Sequence, residues 1–129
     1  MSVEPVAIAG KKILITGPTG QVARPVVEAW APLADVYVLA RFSKARDKQD
    51  MEALGATCLV ADLADPDGLD GLPGDFDYVL NFAVVKSGNF DYDLAANAEG
   101  VGRLMLHCRR ASAFLHLSST AVYEYAGHE

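Results

Sequence analysis

The sequence predicts a doubly wound α/β fold, in which helices cover both faces of a parallel sheet. Short apolar runs alternate with longer stretches of helical periodicity along the 129 residues, as they do in βαβ units. A glycine-rich turn at residues 17–23 stands between the first apolar run and the first helical stretch. Because parallel crossovers are right-handed, we expect five strands in the order 3-2-1-4-5.

The first strand and the first helix are predicted at residues 12–16 and 21–30. The strand is nearly all apolar, as expected of a strand that is buried on both faces of a sheet. In the helix, Val22, Val26 and Val27 recur at a spacing that lets them face the sheet.

The next apolar runs, residues 36–40 and 57–60, are predicted as the second and third strands. Between them, residues 45–54 form a charged second helix, which we expect to end at Gly55. Glycine, proline and aspartate interrupt residues 65–74 so often that one turn of helix, or two at most, is expected there.

The remaining elements are a fourth strand at residues 77–82, the longest helix at 91–110 and a fifth strand at 113–117. No sixth strand follows in the sequence. We therefore expect a sheet that is incomplete on its carboxy-terminal side.

Composition limits the classes of protein to which the chain can belong. Hydrophobic residues make up 51% of it and charged residues 22%, an ordinary balance for one globular domain. The net charge of −6 gives no basic stripe for a nucleic acid, and no apolar run approaches the roughly 20 residues that span a bilayer. Cys58 and Cys108 lack metal-ligand spacing and no signal peptide is evident, so we expect reduced thiols, no metal site and a cytoplasmic protein.

The strongest single feature is Gly17-x-x-Gly20-x-x-Ala23, placed where a strand turns into a helix. Gly17 permits a tight turn out of the strand, and Gly20 lets backbone amides approach a pyrophosphate closely. The free amides and the positive end of the helix would stabilise that anion, while Ala23 is small enough for helix and strand to pack. An ordinary glycine turn is the alternative.

The whole loop, Thr16-Gly17-Pro18-Thr19-Gly20-Gln21-Val22-Ala23, resembles the phosphate loop of extended short-chain dehydrogenases/reductases, the NAD(P)-dependent epimerase/dehydratase family. The resemblance implies a Rossmann fold that binds a dinucleotide through loop residues that include Gly17, Thr19, Gly20, Gln21 and Val22. It covers almost all of this chain, but only about the first half of a typical family member.

The end of the second strand bears on which dinucleotide binds. An NAD-binding fold often places Asp or Glu there to hydrogen-bond the adenosine ribose, whereas this chain has Arg41 and then Lys44. A guanidinium can pair in bidentate fashion with a 2′-phosphate, and Lys44 adds charge. The resemblance therefore implies NADP rather than NAD. The alternative is that the two cations form a solvated cluster at the start of the helix.

Two segments after later strands resemble other cofactor-binding parts of the family. Asp62-Leu63 resembles the pair that contacts adenine, although Asp62 could instead cap a helix. Asn81-Phe82-Ala83 resembles the small-residue segment that passes close to the nicotinamide ribose. Lys86 follows, as in members whose lysine points at the cofactor, and a solvated lysine is the alternative.

Two further segments resemble parts of the family's catalytic site. Asn97-Ala98-Glu99-Gly100 resembles the Asn-x-x-Gly segment, whose Asn helps arrange the site beneath the nicotinamide and whose Gly allows close packing. Ser118-Ser119-Thr120-Ala121-Val122-Tyr123 resembles a segment in which the Ser or Thr four residues before the Tyr is catalytic. That position is Ser119, whose hydroxyl would hold the reacting oxygen of the substrate, and Ser118 would lie at the cofactor. A serine pair that merely ends a strand is the alternative.

The family's central acid/base, a Tyr four residues before a Lys, has no match in this sequence. We therefore expect residues 1–129 to be a truncated NAD(P)-binding domain that lacks the substrate-binding part and has little or no turnover alone. The parent protein would be an NADP-dependent oxidoreductase or epimerase/dehydratase. It would transfer hydride between nicotinamide and a carbonyl or hydroxyl carbon of a small molecule or a nucleotide sugar.

A non-catalytic module that senses the NADP redox state is the alternative function, and Ser119 and Asn97 favour the enzyme. We expect a small-molecule substrate and neither a nucleic acid nor a membrane as partner. Members of the family often form dimers through the long helix, so the resemblance implies a homodimer. His107 and His116 are expected to be structural.

Overall fold

The computed structural model describes residues 8–17, 23–82 and 88–116 of the chain. Within them, a parallel sheet of five strands has the order β3-β2-β1-β4-β5, which confirms the predicted order. The strands are β1 Lys12–Thr16, β2 Asp35–Ala40, β3 Thr57–Val60, β4 Tyr78–Asn81 and β5 Ala113–His116.

Helices connect these strands and lie on both faces of the sheet. In chain order they are α1 Ala23–Trp30, α2 Ala45–Ala53, α3 Phe90–Leu94, a π-helical turn Ala95–Glu99, and α4 Gly100–His107. The helix α2 ends where the sequence predicts, because Leu54 is its C-cap and Gly55 follows with a φ of +97, a left-handed conformation that favours glycine. None of the described helices is long and apolar enough to cross a membrane.

Side chains of the central strands alternate between two apolar clusters, one on each face of the sheet. Ile13 of β1 belongs to the first cluster, together with Val27 of α1 and Met51 of α2. Leu14, the next residue, belongs to the second cluster, together with Leu104 of α4. Because both faces of β1 are covered, the strand is nearly all apolar, as its sequence suggests.

The longest helix differs from its prediction in two ways. Residues 90–107 form one helical run, but its middle is the π-helical turn Ala95–Glu99, and the run ends at His107 rather than at Arg110. Cys108 leaves the helical conformation with a φ of −103 and a ψ of 27, so residues 108–110 form a turn. Residues 61–77 contain turns and bends but neither helix nor strand, in agreement with the predicted break.

Candidate functional site

The carboxyl ends of the strands lie together at one edge of the sheet, because all described strands are parallel. Thr16 at the end of β1 lies opposite both Leu39 of β2 and Asn81 of β4, and Asn81 lies opposite His116 of β5. Open α/β sheets bind ligands at this edge, near the point where the strand order reverses. In this sheet the reversal lies between β1 and β4.

Gly17 begins the loop that follows β1. Its φ is +66, a left-handed conformation that favours glycine, and its N–H donates to the carbonyl of Leu39 at 3.4 Å. The chain therefore turns out of the sheet where the sequence predicts a tight turn. The helix α1 begins at Ala23, which is fully buried in the first apolar cluster. The predicted binding residues between them lie outside the described residues: Thr19, Gly20, Gln21 and Val22.

Arg41 follows directly after β2 and has an exposed side chain. It lies in a cavity of about 160 Å³ whose lining residues are Ala40, Arg41, Phe42, Ser43 and Asp47. Phe42 has a φ of +48, uncommon for a residue other than glycine, and packs against the first apolar cluster. Lys44, the second predicted cation, is exposed at the N-cap of α2 and is not part of the cavity lining.

The hydroxyl of Tyr92 connects two residues that the sequence predicts separately as cofactor ligands. It accepts a hydrogen bond from Nη1 of Arg41 at 2.9 Å and donates to the Asp62 carboxylate, 3.2 Å from Oδ2 and 3.4 Å from Oδ1. The guanidinium carbon of Arg41 also lies 5.8 Å from the centre of the Tyr92 ring, within the range of a cation–π contact. Sequence reasoning missed Tyr92. The available signal was an aromatic residue in the first turn of a helix that follows a strand of this sheet.

The start of α3 holds Tyr92 in place. The side-chain oxygen of Asn89, the N-cap residue, accepts from the N–H of Tyr92 at 3.1 Å. Burial raises the pKa of the Tyr92 phenol and the Asp62 carboxylate raises it further, against a smaller opposing effect of Arg41. The hydroxyl therefore stays protonated at neutral pH and can donate to Asp62 while it accepts from Arg41.

Asp62 and Leu63 follow β3 in a turn. Oδ1 of Asp62 accepts from the N–H of Ala64 at 2.9 Å, and no helix follows in residues 61–77, so this carboxylate caps a turn rather than a helix. The carbonyl of Leu63 accepts from Nη2 of Arg103 at 2.6 Å. A Cβ atom on Gly100 would lie 2.5 Å from the same carbonyl oxygen, so the close approach of α4 to Leu63 requires glycine.

Asn97 is the central residue of the π-helical turn Ala95–Glu99 and is half-buried. π-helical turns are rare and occur frequently at functional sites. The Asn that the sequence singles out in a helix interior thus coincides with the irregular turn of the helical run.

Asn81 is fully buried and links three strands at the carboxyl edge. Its side-chain oxygen accepts a hydrogen bond from the hydroxyl of Thr16, and its Nδ2 lies 2.9 Å from Nδ1 of His116. Since an amide nitrogen only donates, Nδ1 of His116 is the acceptor and Nε2 carries the ring proton. Phe82, next along the chain, is half-buried, and its N–H donates to the carbonyl of Thr16 at 3.2 Å. The side chain of Asn81 therefore ties β1, β4 and β5 together.

The remaining predicted site residues lie outside the described residues: Ala83, Lys86, Ser118 and Ser119. Nε2 of His107 lies 2.9 Å from the carbonyl oxygen of Leu72 and 3.1 Å from that of Pro73, the kind of contact that a structural histidine makes. Within residues 8–17, 23–82 and 88–116, no group of three or more His, Cys, Asp or Glu side chains could hold a metal ion.

Comparison with known sequences identifies one protein family that this chain matches. The model of the NAD dependent epimerase/dehydratase family matches residues 13–129. Among curated proteins, no match is found.

Solved structures of similar fold include proteins with bound nucleotides. UDP-N-acetylglucosamine 4-epimerase from Methanobrevibacter ruminantium M1, in complex with UDP-N-acetylmuramic acid, superposes with a TM-score of 0.73 at 23% identity, over 90% of this chain and 40% of that chain. BdcA in complex with NADPH gives 0.74 at 20% identity, over 88% and 53%. The NADH-dependent reductase A1-R′ complexed with NAD gives 0.70 at 17% identity, over 93% and 64%. These similarities show the shared fold, and this chain spans less than two thirds of each of these proteins.

Proposed function

We propose that this chain, which belongs to the NAD dependent epimerase/dehydratase family, is the NADP-binding Rossmann domain of an enzyme that transfers hydride. The bound nicotinamide would exchange hydride with a carbonyl or hydroxyl carbon of a small molecule or a nucleotide sugar. We further propose that residues 1–129 belong to one NAD(P)-binding domain of a cytoplasmic enzyme that works as a homodimer.

The choice of NADP over NAD depends on the position of Arg41. The end of β2 carries no carboxylate that could bind the two hydroxyls of an adenosine ribose. Instead an exposed guanidinium lines a cavity of about 160 Å³ at that point. A guanidinium can form two parallel hydrogen bonds with a phosphate, which suits the 2′-phosphate of NADP. The residues present therefore fit this cofactor.

Other residues at the carboxyl edge would hold the rest of the dinucleotide. The left-handed turn at Gly17 opens the loop that would carry the pyrophosphate at the start of α1. The carboxylate of Asp62 can accept a hydrogen bond from the exocyclic amine of adenine, with Leu63 beside the ring. Asn97 would help arrange the site beneath the nicotinamide, and Ser119 would hold the reacting oxygen of the substrate.

The cofactor assignment can be tested by titrating the protein with NADPH and NADH, as wild type and as Arg41→Ala. Removal of a charged, bidentate contact should weaken NADPH binding by about 1.5–3 kcal/mol, roughly ten- to a hundredfold, and leave NADH binding nearly unchanged. Arg110→Ala is the matched control. Its side chain is exposed near Asp75, which pairs with Lys12 at the opposite edge of the sheet.

Two results would count against NADP as the cofactor. Either the wild-type protein binds NADH as tightly as NADPH, or the loss of the Arg41 side chain changes neither affinity. Equal losses in Arg41→Ala and Arg110→Ala would point to a general effect of positive charge rather than to a contact with the 2′-phosphate.

A further inference from the structure

We propose that Tyr92 is a positioning residue, which keeps the Arg41 guanidinium from pairing with Asp62 and orients it toward the 2′-phosphate of NADP. This inference rests on the proposed function, in which Arg41 contacts that phosphate. It adds a residue to the recognition of the cofactor that the sequence motifs do not include.

Arg41 and Asp62 leave adjacent strands at nearly the same level. Ala40 at the end of β2 lies opposite Val60 at the end of β3, and the two charged residues follow one and two positions later. Opposite charges that leave neighbouring strands at the same level attract each other. Nevertheless, Arg41 and Asp62 form no direct ion pair in the described part of the chain. The hydroxyl of Tyr92 lies between them and bonds to both.

The chemical nature of this intermediate group matters for binding an anion. A carboxylate paired directly with Arg41 would neutralise the guanidinium and occupy the two parallel donors that a phosphate needs. The Tyr92 phenol is neutral, since burial and the Asp62 charge raise its pKa, and it accepts from Nη1 alone. A guanidinium has five N–H donors. The contact with Tyr92 therefore leaves the positive charge in place and most of the donors available to a phosphate.

The same contact restricts the motion of a long, exposed side chain. Arginine loses considerable rotamer freedom when it becomes fixed on a ligand. Tyr92 is itself held at the start of α3 by the Asn89 cap, so the hydrogen bond and the ring contact fix the guanidinium to a helix before a ligand binds. Part of the entropy cost of binding the phosphate is thereby met in the protein without ligand.

The variant Tyr92→Phe tests this role, since it removes the hydroxyl and keeps the ring. Titration with NADPH and NADH should show an NADPH dissociation constant raised about tenfold and an NADH constant unchanged within about twofold. Tyr37→Phe is the matched control. Tyr37 lies inside β2 and packs edge-on against Phe76, and its ring centre is 5.1 Å from the ammonium of Lys12, which begins β1 at the end away from Gly17. Loss of the Tyr37 hydroxyl should change neither the NADPH nor the NADH dissociation constant.

A second variant separates the two proposed effects of Tyr92, which are to shield Arg41 from Asp62 and to restrict the motion of the Arg41 side chain. In the Asp62→Asn background no carboxylate remains to capture Arg41, so removal of the Tyr92 hydroxyl should weaken NADPH binding by a smaller factor than in the wild type. An equal factor in both backgrounds would show that Tyr92 does not shield Arg41 from Asp62.

The outcomes distinguish this inference from the proposed function. If the wild type prefers NADPH and Tyr92→Phe keeps the full preference, the role of Tyr92 is refuted and the cofactor assignment stands. If Tyr92→Phe weakens NADPH and NADH equally, Tyr92 acts on the whole site and not on the 2′-phosphate, which also refutes it. If the wild type shows no preference for NADPH, the proposed cofactor is wrong and the inference is overturned with it.

Discussion

Asn81 shows how a polar side chain can be accommodated inside the sheet. It has no exposed surface, so both ends of its amide need hydrogen-bond partners. The hydroxyl of Thr16 supplies a donor on one side and the ring of His116 an acceptor on the other. Because these three residues lie opposite one another in the sheet register, one short network joins β1, β4 and β5.

Removal of the acceptor should therefore destabilise the protein. We expect His116→Phe to lower the free energy of unfolding by about 1–2 kcal/mol, because the buried amide of Asn81 loses its partner. Urea denaturation measures this change. In the Asn81→Leu background the same substitution should cost less, since no amide is left unpaired. Equal costs in the two backgrounds would show that His116 stabilises the protein through some other contact.

The residues of the site differ in how far the sequence could predict them. Arg41 and Asp62 come one and two positions after the ends of apolar strands, so their place at the carboxyl edge is predictable from the order of elements alone. Tyr92 is 51 residues from Arg41 and 30 from Asp62, and its contacts depend on how the helical run crosses the sheet edge. No local pattern encodes that crossing, which is why the link between the two charges appears only in the structure.

The helical run at residues 90–107 packs closely on the loop after β3. At the point of contact the run has Gly100, where any side chain would be too large. A Cβ atom on Gly100 would lie 2.9 Å from Cβ of Leu63, in addition to its clash with the carbonyl oxygen. We expect Gly100→Ala to lower the free energy of unfolding by about 1–3 kcal/mol, because the backbone must shift.

Gly102 provides the control in the same helix. It is exposed, and a Cβ atom there would meet nothing within 4 Å. Gly102→Ala should raise the free energy of unfolding by about 0.5–1 kcal/mol through helix propensity alone. Thermal unfolding of the two variants measures both effects. A stabilising Gly100→Ala would contradict the close packing described here.

Strands and helices were predictable to different degrees. β1 and β3 begin and end at the predicted residues. Burial on both faces accounts for the sharp limits of β1, whereas β3 lies at the edge of the sheet and its limits follow from its short apolar run between polar residues and glycine. The π-helical turn Ala95–Glu99 had no such signal, because one extra residue per turn hardly alters the apolar pattern of a short helical segment. The sequence therefore predicted a continuous helix where the structure has an irregular one.

A Rossmann domain that binds its cofactor should be stabilised as a whole by it. At one hundred times its dissociation constant, NADPH should add about 2.7 kcal/mol to the free energy of unfolding and raise the melting temperature. NADH at the same concentration should raise it less. Nicotinamide mononucleotide, which lacks the adenosine half, serves as the control and should have little effect. Equal shifts with all three compounds would show that the 2′-phosphate contributes nothing.

Tyr92 and Asn97 belong to the same helical run, five residues apart. Tyr92 contacts Arg41, which is proposed to bind the 2′-phosphate at the adenosine end of the dinucleotide, and Asn97 is proposed to lie beneath the nicotinamide. A movement of Arg41 that displaces Tyr92 would therefore also move the helix that carries Asn97. In the parent enzyme that we propose, we expect NADH to slow hydride transfer as well as to bind more weakly than NADPH, and steady-state kinetics with the two cofactors would measure both effects.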